Sequence, residues 1–301
     1  MPIRLLLASL LLLVSGCGSG PAEPPAPKQA VVVSESRQGR LVELEIDSPA
    51  LGRTAQVEVL LPEGWRPGGV WPVLYLLEGC CGSGGPGWVS EGGADEITED
   101  AGVIVVIPEG GYAGFYSDWL NGPKWETFHL TEVRKLVEGK YGASDRRAVA
   151  GLSMGGFGAL SYAARHPGMF QAAASFSGLV DVSDQDVRHI VGQTPDDPAD
   201  LWGPDSARVA EHNPTALVAR LKDIPVYVSC GDGTPGPFDA RGAGRDDGER
   251  FILNENRAFI AAARKAGVKV TANLYGPGRH SWPYWSRELR AALPMLVRAI
   301  S

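Results

Sequence analysis

The stretch RRAVAGLSMGGFGALSYAARHP, residues 146–167, constrains the fold more than any other part of the chain. Its first half is a short apolar run of the kind that fills a strand buried on both faces. Its second half carries helical spacing until Pro167 stops it. At the junction lies a G-x-S-x-G sequence, Gly151 to Gly155, with Ser153 at its centre. A strand that passes into a helix with almost no loop must turn sharply, and a serine at that turn exposes its hydroxyl above the sheet edge. The flanking glycines let the two backbones approach closely. The next amide, that of Met154, opens the helix and points at negative charge developing beside the serine. A serine packed in a glycine-rich turn is the alternative. With 39 glycines in 301 residues, the pentamer carries weight only through its context.

That context is an alternation of short β-rich runs with helical patterns. The runs are RLVELEID, TAQVEVLLP, PVLYLLEG, VIVVIPEG, RRAVAGLS, AAASFSG, IPVYVSCG and KVTANLYG, eight in all. The first two alternate apolar and polar residues, as an antiparallel entry to a sheet does. The later ones are continuously apolar, as expected of strands covered on both faces. Helical patterns fall at KWETFHLTEVRKLVEGKYG, MGGFGALSYAARHP, PTALVARLKD and ERFILNENRAFIAAARKAG. This order predicts an α/β-hydrolase fold: an eight-stranded, mostly parallel sheet flanked by helices.

The domain has an N-terminal preface. Residues 1–16 read as a signal peptide, with one arginine before an apolar run, Leu5 to Val14, too short to span a bilayer. Val14-Ser15-Gly16-Cys17 resembles a bacterial lipobox, which makes Cys17 the expected lipidated N-terminus; a plain secretory signal is the alternative. Residues 17–30 are rich in Pro, Gly and Ala and read as an extended, disordered tether. Residues 31–301 contain no clear linker and suit one catalytic domain. The expected location is the outer face of the bacterial cell membrane, anchored by lipid, or else the secreted fraction. A net charge of −7 with no basic cluster argues against nucleic acid as a partner.

The four cysteines, at 17, 80, 81 and 230, form no metal-type C-x-x-C pair, and no cofactor or metal is implied. With Cys17 lipidated, an odd number remains. A bond between the adjacent Cys80 and Cys81 would be strained, so no disulfide framework is expected. Cys230 reads as a buried, unreactive thiol at a strand end.

A hydrolase of this topology takes its catalytic residues in the order serine, acid, histidine. Of five histidines, His129, His166, His189 and His212 fall before the seventh run. His280 alone follows the eighth, in YGPGRHSWPYW, where a base would hang over the C-terminal edge of the sheet. The acid is open on these grounds. Asp232 follows the seventh run directly, in VSCGDGTP, while Asp239, Asp246, Asp247 and Glu249 come later in a polar loop. By position, Asp232 and Glu249 both survive.

Several strings carry a more specific signal: LYLLEG, GGYAGFYSDW, KWETF, GLSMGG, WGP, CGDGTP and HSWPYW. Together they resemble the secreted mycolyltransferases of the antigen 85 family, within the esterase-type α/β-hydrolases, from about residue 40 to the C-terminus. The resemblance implies Ser153 as nucleophile and His280 as base. It places the family's catalytic glutamate on Glu249, counting through ENRAF, and puts Asp232 where the family usually has asparagine. It also implies that the Cys80 amide joins that of Met154 in an oxyanion hole. Substrate contacts are expected from Glu78, Trp119, Ser281 and Trp282; core or lid packing is the alternative for Trp119, Trp125, Trp282 and Trp285, with Trp282, two residues from the base, the first choice to touch substrate.

The chain departs from the family at informative places. Glu78 stands for an aspartate of the acceptor-sugar motif and Cys81 for an arginine, whose planar fork grips hydroxyls as a thiol cannot. The family's disulfide-bearing insert after SDW is missing, and LNGPKW closes that gap. The expected activity is therefore that of an extracytoplasmic serine acyl esterase or acyltransferase, acting on an acyl-ester lipid or a small ester. One alternative is a mycolyltransferase delivering acyl groups to a sugar such as trehalose. The other is a non-catalytic surface binding protein on the same fold.

Overall fold

The computed structural model describes residues 28–301 except 82–86, 183 and 204–205. The signal segment, Cys17 and most of the tether lie outside the described residues, as does most of the glycine-rich loop after Cys81. One sheet runs through the domain in the order β1-β2-β3-β5-β4-β6-β7-β8-β9. The strands are β1 (Val31–Gln38), β2 (Leu41–Ser48), β3 (Arg53–Leu60), β4 (Trp71–Leu77), β5 (Ile104–Pro108), β6 (Ala143–Leu152), β7 (Ala172–Phe176), β8 (Val226–Cys230) and β9 (Val270–Leu274). The strands from β4 to β9 run parallel to one another, and β1, β2 and β3 join through antiparallel pairs, the last against β5.

All eight expected strands are present, and β1 is a ninth. Its side chains are almost all exposed, so it carries no apolar alternation. Backbone pairing with β2 alone makes it a strand.

Burial explains the continuous apolar runs. On β4, Val73, Tyr75 and Leu77 enter one core while Leu74 and Leu76 enter the other. The first core lies under the helices Met154–Arg165 and Asp247–Lys265. Trp88, Trp285, Leu289, Ala292 and Leu296 close the second, the last four from the C-terminal helix Trp282–Ile300. A strand with both faces covered has no polar side to show, so period-two alternation disappears. It survives on β2, where buried and exposed residues alternate.

Glycines at the elbow have a steric reason. A Cβ on Gly155 would lie 2.3 Å from the Leu77 carbonyl oxygen, and one on Gly151 would lie 2.2 Å from that of Gly155. Only hydrogen fits where helix and strands cross this closely.

Candidate active site

Ser153 is the residue between β6 and the helix Met154–Arg165. Its backbone is at φ 52°, ψ −121°, a region an L-residue enters only when its surroundings hold it there. They do so through hydrogen bonds. Its amide donates to the Phe176 carbonyl at 3.0 Å, and its own carbonyl accepts from Gly156 at 3.0 Å and Phe157 at 3.2 Å. The side chain is 7% exposed, so this serine is neither solvated nor sealed in.

The segment after β4 runs beside it. A Cβ on Gly79 would lie 3.3 Å from the Ser153 Cβ, which puts Cys80 in the neighbourhood of the serine. The Cys81 amide donates to the Tyr112 carbonyl at 2.8 Å and pins this segment to the loop after β5. Cys80 and Cys81 are disulfide-bonded, with Cα atoms 3.8 Å apart. The pair is bridged despite the strain expected of a bond between adjacent cysteines. Cys81 takes φ 70°, a left-handed turn that the sequence argument did not allow for. Cys230 is free and buried.

Glu249 lies in the first turn of the helix Asp247–Lys265 and is fully buried. Its Oε1 accepts from the Ser177 hydroxyl at 2.7 Å, the Gly231 amide at 2.6 Å and the Cys230 thiol at 3.3 Å. Its Oε2 meets His280 Nδ1 at 2.6 Å. A buried carboxylate needs donors on both oxygens, and here both have them. Burial and the Glu249 carboxylate push the Cys230 thiol up, so it stays protonated as a donor.

His280 is partly open to solvent, with its ring edge-on to Trp285 at a centroid distance of 4.8 Å. Thus the chain ends after β6, β8 and β9 bring Ser153, Glu249 and His280 to one edge of the sheet, where parallel α/β sheets bind ligands. Asp232 lies next to this site but does not bond the His280 ring: its Oδ1 accepts from the amide (2.8 Å) and hydroxyl of Thr234, capping a turn, and its carboxylate also accepts from the Gly278 backbone. The other histidines have structural partners. His129 bonds Tyr162 and the Glu109 carbonyl, His166 pairs with Glu126, and His212 stacks on Trp202. His189 is exposed on the helix Asp184–Val191.

The residues expected to touch substrate separate. Trp282 packs edge-on against Trp88 and Trp285, each at 5.4 Å, and is partly exposed near the base. Ser281 precedes the C-terminal helix, its carbonyl accepting from Tyr284 and Trp285. Trp119 is 3% exposed and gives its indole N–H to the Gly114 carbonyl at 3.1 Å. With Trp125, Tyr112 and Arg53 it lines a cavity of about 530 Å³ to which none of Ser153, Glu249 and His280 contributes.

Glu78 sits between the elbow and the helix Gly87–Ser90. Its Oε1 accepts from the Trp88 amide at 3.0 Å, and its carbonyl accepts from the Tyr116 hydroxyl at 2.8 Å. Burial pushes its carboxyl up from 4.5 to about 8, against the lowering effect of the Trp88 and Gly87 amides. The unfolded chain ionises first, so the stability contributed by neutral Glu78 is fully present below about pH 4.5 and is lost as pH rises through about 8. Glu78→Gln keeps an acceptor for Trp88 but cannot ionise. Its melting temperature should match wild type in acid and exceed it above about pH 8. A constant difference across that range would contradict the raised value.

With this geometry in place, likeness to other proteins becomes informative. The Esterase family model matches residues 48–296. "Diacylglycerol acyltransferase/mycolyltransferase Ag85B" of Mycobacterium leprae (strain TN) is 34% identical over 286 residues, covering 88% of this chain and 86% of that protein. Among solved structures, Mycobacterium tuberculosis MPT51 (FbpC1) superposes with a TM-score of 0.69 at 24% identity, over 84% of this chain and 96% of that one. A ferulic acid esterase superposes with a TM-score of 0.68 at 28% identity, over 90% and 99% respectively. MPT51 speaks for the α/β-hydrolase fold alone. The match to the family model and the Ag85 relatives goes further: the chain belongs to the Esterase family, alongside the Ag85 acyltransferases, and is an enzyme of the serine ester hydrolase and acyltransferase class.

Proposed function

We propose that this enzyme cleaves acyl esters through Ser153, Glu249 and His280 and passes the acyl group chiefly to water. The observation that carries this reading is the buried Glu249 carboxylate bonded at 2.6 Å to His280 Nδ1 and at 2.7 Å to Ser177, whose neighbour Phe176 holds the amide of Ser153 in its constrained elbow. In the proposed cycle His280 takes the Ser153 proton as Oγ attacks the ester carbonyl. Glu249 holds the ring with Nδ1 protonated and stabilises the imidazolium that forms. The Cys80 and Met154 amides stabilise the oxyanion. The alcohol leaves with the proton that His280 returns to it. Water, deprotonated by the same ring, then releases the acid from the acyl-enzyme.

Transfer to a sugar is the second reading, favoured by the names of the Ag85 relatives. An acyl-enzyme faces water at about 55 M, so transfer wins only where a site holds the acceptor hydroxyl in attacking geometry. Cys81 is tied into a disulfide and offers no donor to an acceptor. Raising trehalose toward saturation should therefore divert little of the acyl flux from hydrolysis. Most of the acyl group appearing on trehalose would establish transfer instead.

We further propose that Cys17 carries the lipid that tethers the domain outside the cell, on the strength of the lipobox-like Val14-Ser15-Gly16-Cys17. The mass of the N-terminal peptide reads this directly, and an unlipidated peptide points to a secreted enzyme.

A further inference from the structure

One carboxylate at the site has no role in this cycle. Asp246 precedes the helix Asp247–Lys265 with extended backbone, φ −108° and ψ 98°. Its Oδ1 accepts from the Glu249 amide at 3.0 Å, an ordinary helix cap. Its Oδ2 does something a cap does not require: it accepts from the His280 amide at 3.1 Å. The same loop is braced by backbone. The Asp246 amide donates to Gly233 at 2.7 Å, and the Gly233 amide donates to Gly278 at 2.8 Å. Two segments far apart in the chain, one carrying Glu249 and the other His280, are thus joined by the two oxygens of one side chain. Burial pushes the Asp246 carboxyl up, but the Glu249 and His280 amides and the nearby His280 and Arg279 charges hold it below the usual range.

We propose that Asp246 is a positioning residue that sets Glu249 and His280 in register with each other. The inference rests on the triad reading and deepens it. Glu249 and His280 come from different loops, so the short bond between them depends on how those loops are held. One carboxylate on a braced loop, accepting from both backbone amides, fixes the separation before either side chain is placed. A small misplacement of a base relative to its partner is enough to cost a large factor in rate.

The two jobs of Asp246 can be separated. Asparagine caps helices about as well as aspartate, but it has a single acceptor oxygen. With that oxygen on Glu249, its amide N–H₂ faces the His280 N–H, donor against donor. Serine keeps a cap and leaves the His280 amide without its partner.

The test measures Asp246→Asn and Asp246→Ser by thermal melting, by kcat and KM on a short p-nitrophenyl ester, and by the rate of fluorophosphonate labelling. A fourth reading is the far-downfield proton resonance of His280 Nδ1–H. Both variants should melt a few degrees below wild type, from the lost His280 amide bond, and stay fully folded at the assay temperature. In Asp246→Asn, kcat and labelling rate should fall together by at least about tenfold with KM little changed, and the Nδ1–H resonance should shift or broaden. Wild-type kcat with an unmoved resonance would overturn the proposal. So would a rate loss that only matches the unfolded fraction. If the wild-type protein neither turns over esters nor takes the probe, the triad reading fails by itself. The resonance in Asp246→Asn then still decides whether Asp246 orients His280.

Discussion

Ser153→Ala should reduce ester turnover at least about ten-thousandfold while leaving the fold intact. The change removes one oxygen and no packing atom. The bonds that hold the elbow run through the Ser153 amide and carbonyl, to Phe176, Gly156 and Phe157, and alanine keeps them. The backbone at φ 52° asks no more of an alanine Cβ than of a serine Cβ. The melting temperature should therefore stay near wild type while p-nitrophenyl ester turnover and fluorophosphonate labelling disappear. Turnover near the wild-type rate would show that the nucleophile is another group.

Glu249→Gln should lower kcat at least about a hundredfold. Four donors converge on this carboxylate: Ser177, Gly231 and Cys230 on one oxygen and His280 on the other. An amide has one oxygen, so one side of the cluster must meet an N–H₂. If that side is His280, the ring loses its orientation and the partner for its positive charge. If it is the Gly231 side, a buried amide loses its acceptor and the fold weakens as well. Asp232→Asn should cost far less, because Asp232 bonds Thr234 and the Gly278 backbone and makes no hydrogen bond to the His280 ring. The opposite ranking of the two variants would move the acid to the position directly after β8.

These residues also show how far the sequence could be read. Strands β4, β5, β7 and β8 are legible because burial on both faces leaves almost only apolar side chains, with the small Ser175 and Ser229 the polar exceptions on β7 and β8. The elbow is legible because close backbone crossing admits only glycine at 151 and 155. His280 stands out because it alone of five histidines follows the eighth run. The choice between Asp232 and Glu249 was not legible from pattern, since it depends on a loop that folds back through Gly233, Asp246 and Gly278. Those contacts are backbone bonds between distant residues and leave no periodicity. The strand β1 is hidden for a similar reason. The C-terminal helix Trp282–Ile300 is obscured by Pro283 and Pro294 within it, residues that ordinarily mark a helix start or stop. Trp119 shows the limit of aromatic strings: its indole packs in a wall of the cavity beside Trp125 and Arg53, a place that only the fold reveals.

Everything in the proposed cycle passes through a covalent acyl-enzyme on Ser153, formed and resolved by Glu249 and His280. Peptide mass spectrometry of the wild-type protein, quenched in acid during turnover of a slowly hydrolysed ester, reads it directly. One added acyl group is expected, on the peptide containing Ser153, absent in Ser153→Ala and decaying as free acid accumulates. An acyl adduct on any other residue, or steady turnover with Ser153 unmodified under conditions that trap the intermediate, would contradict it.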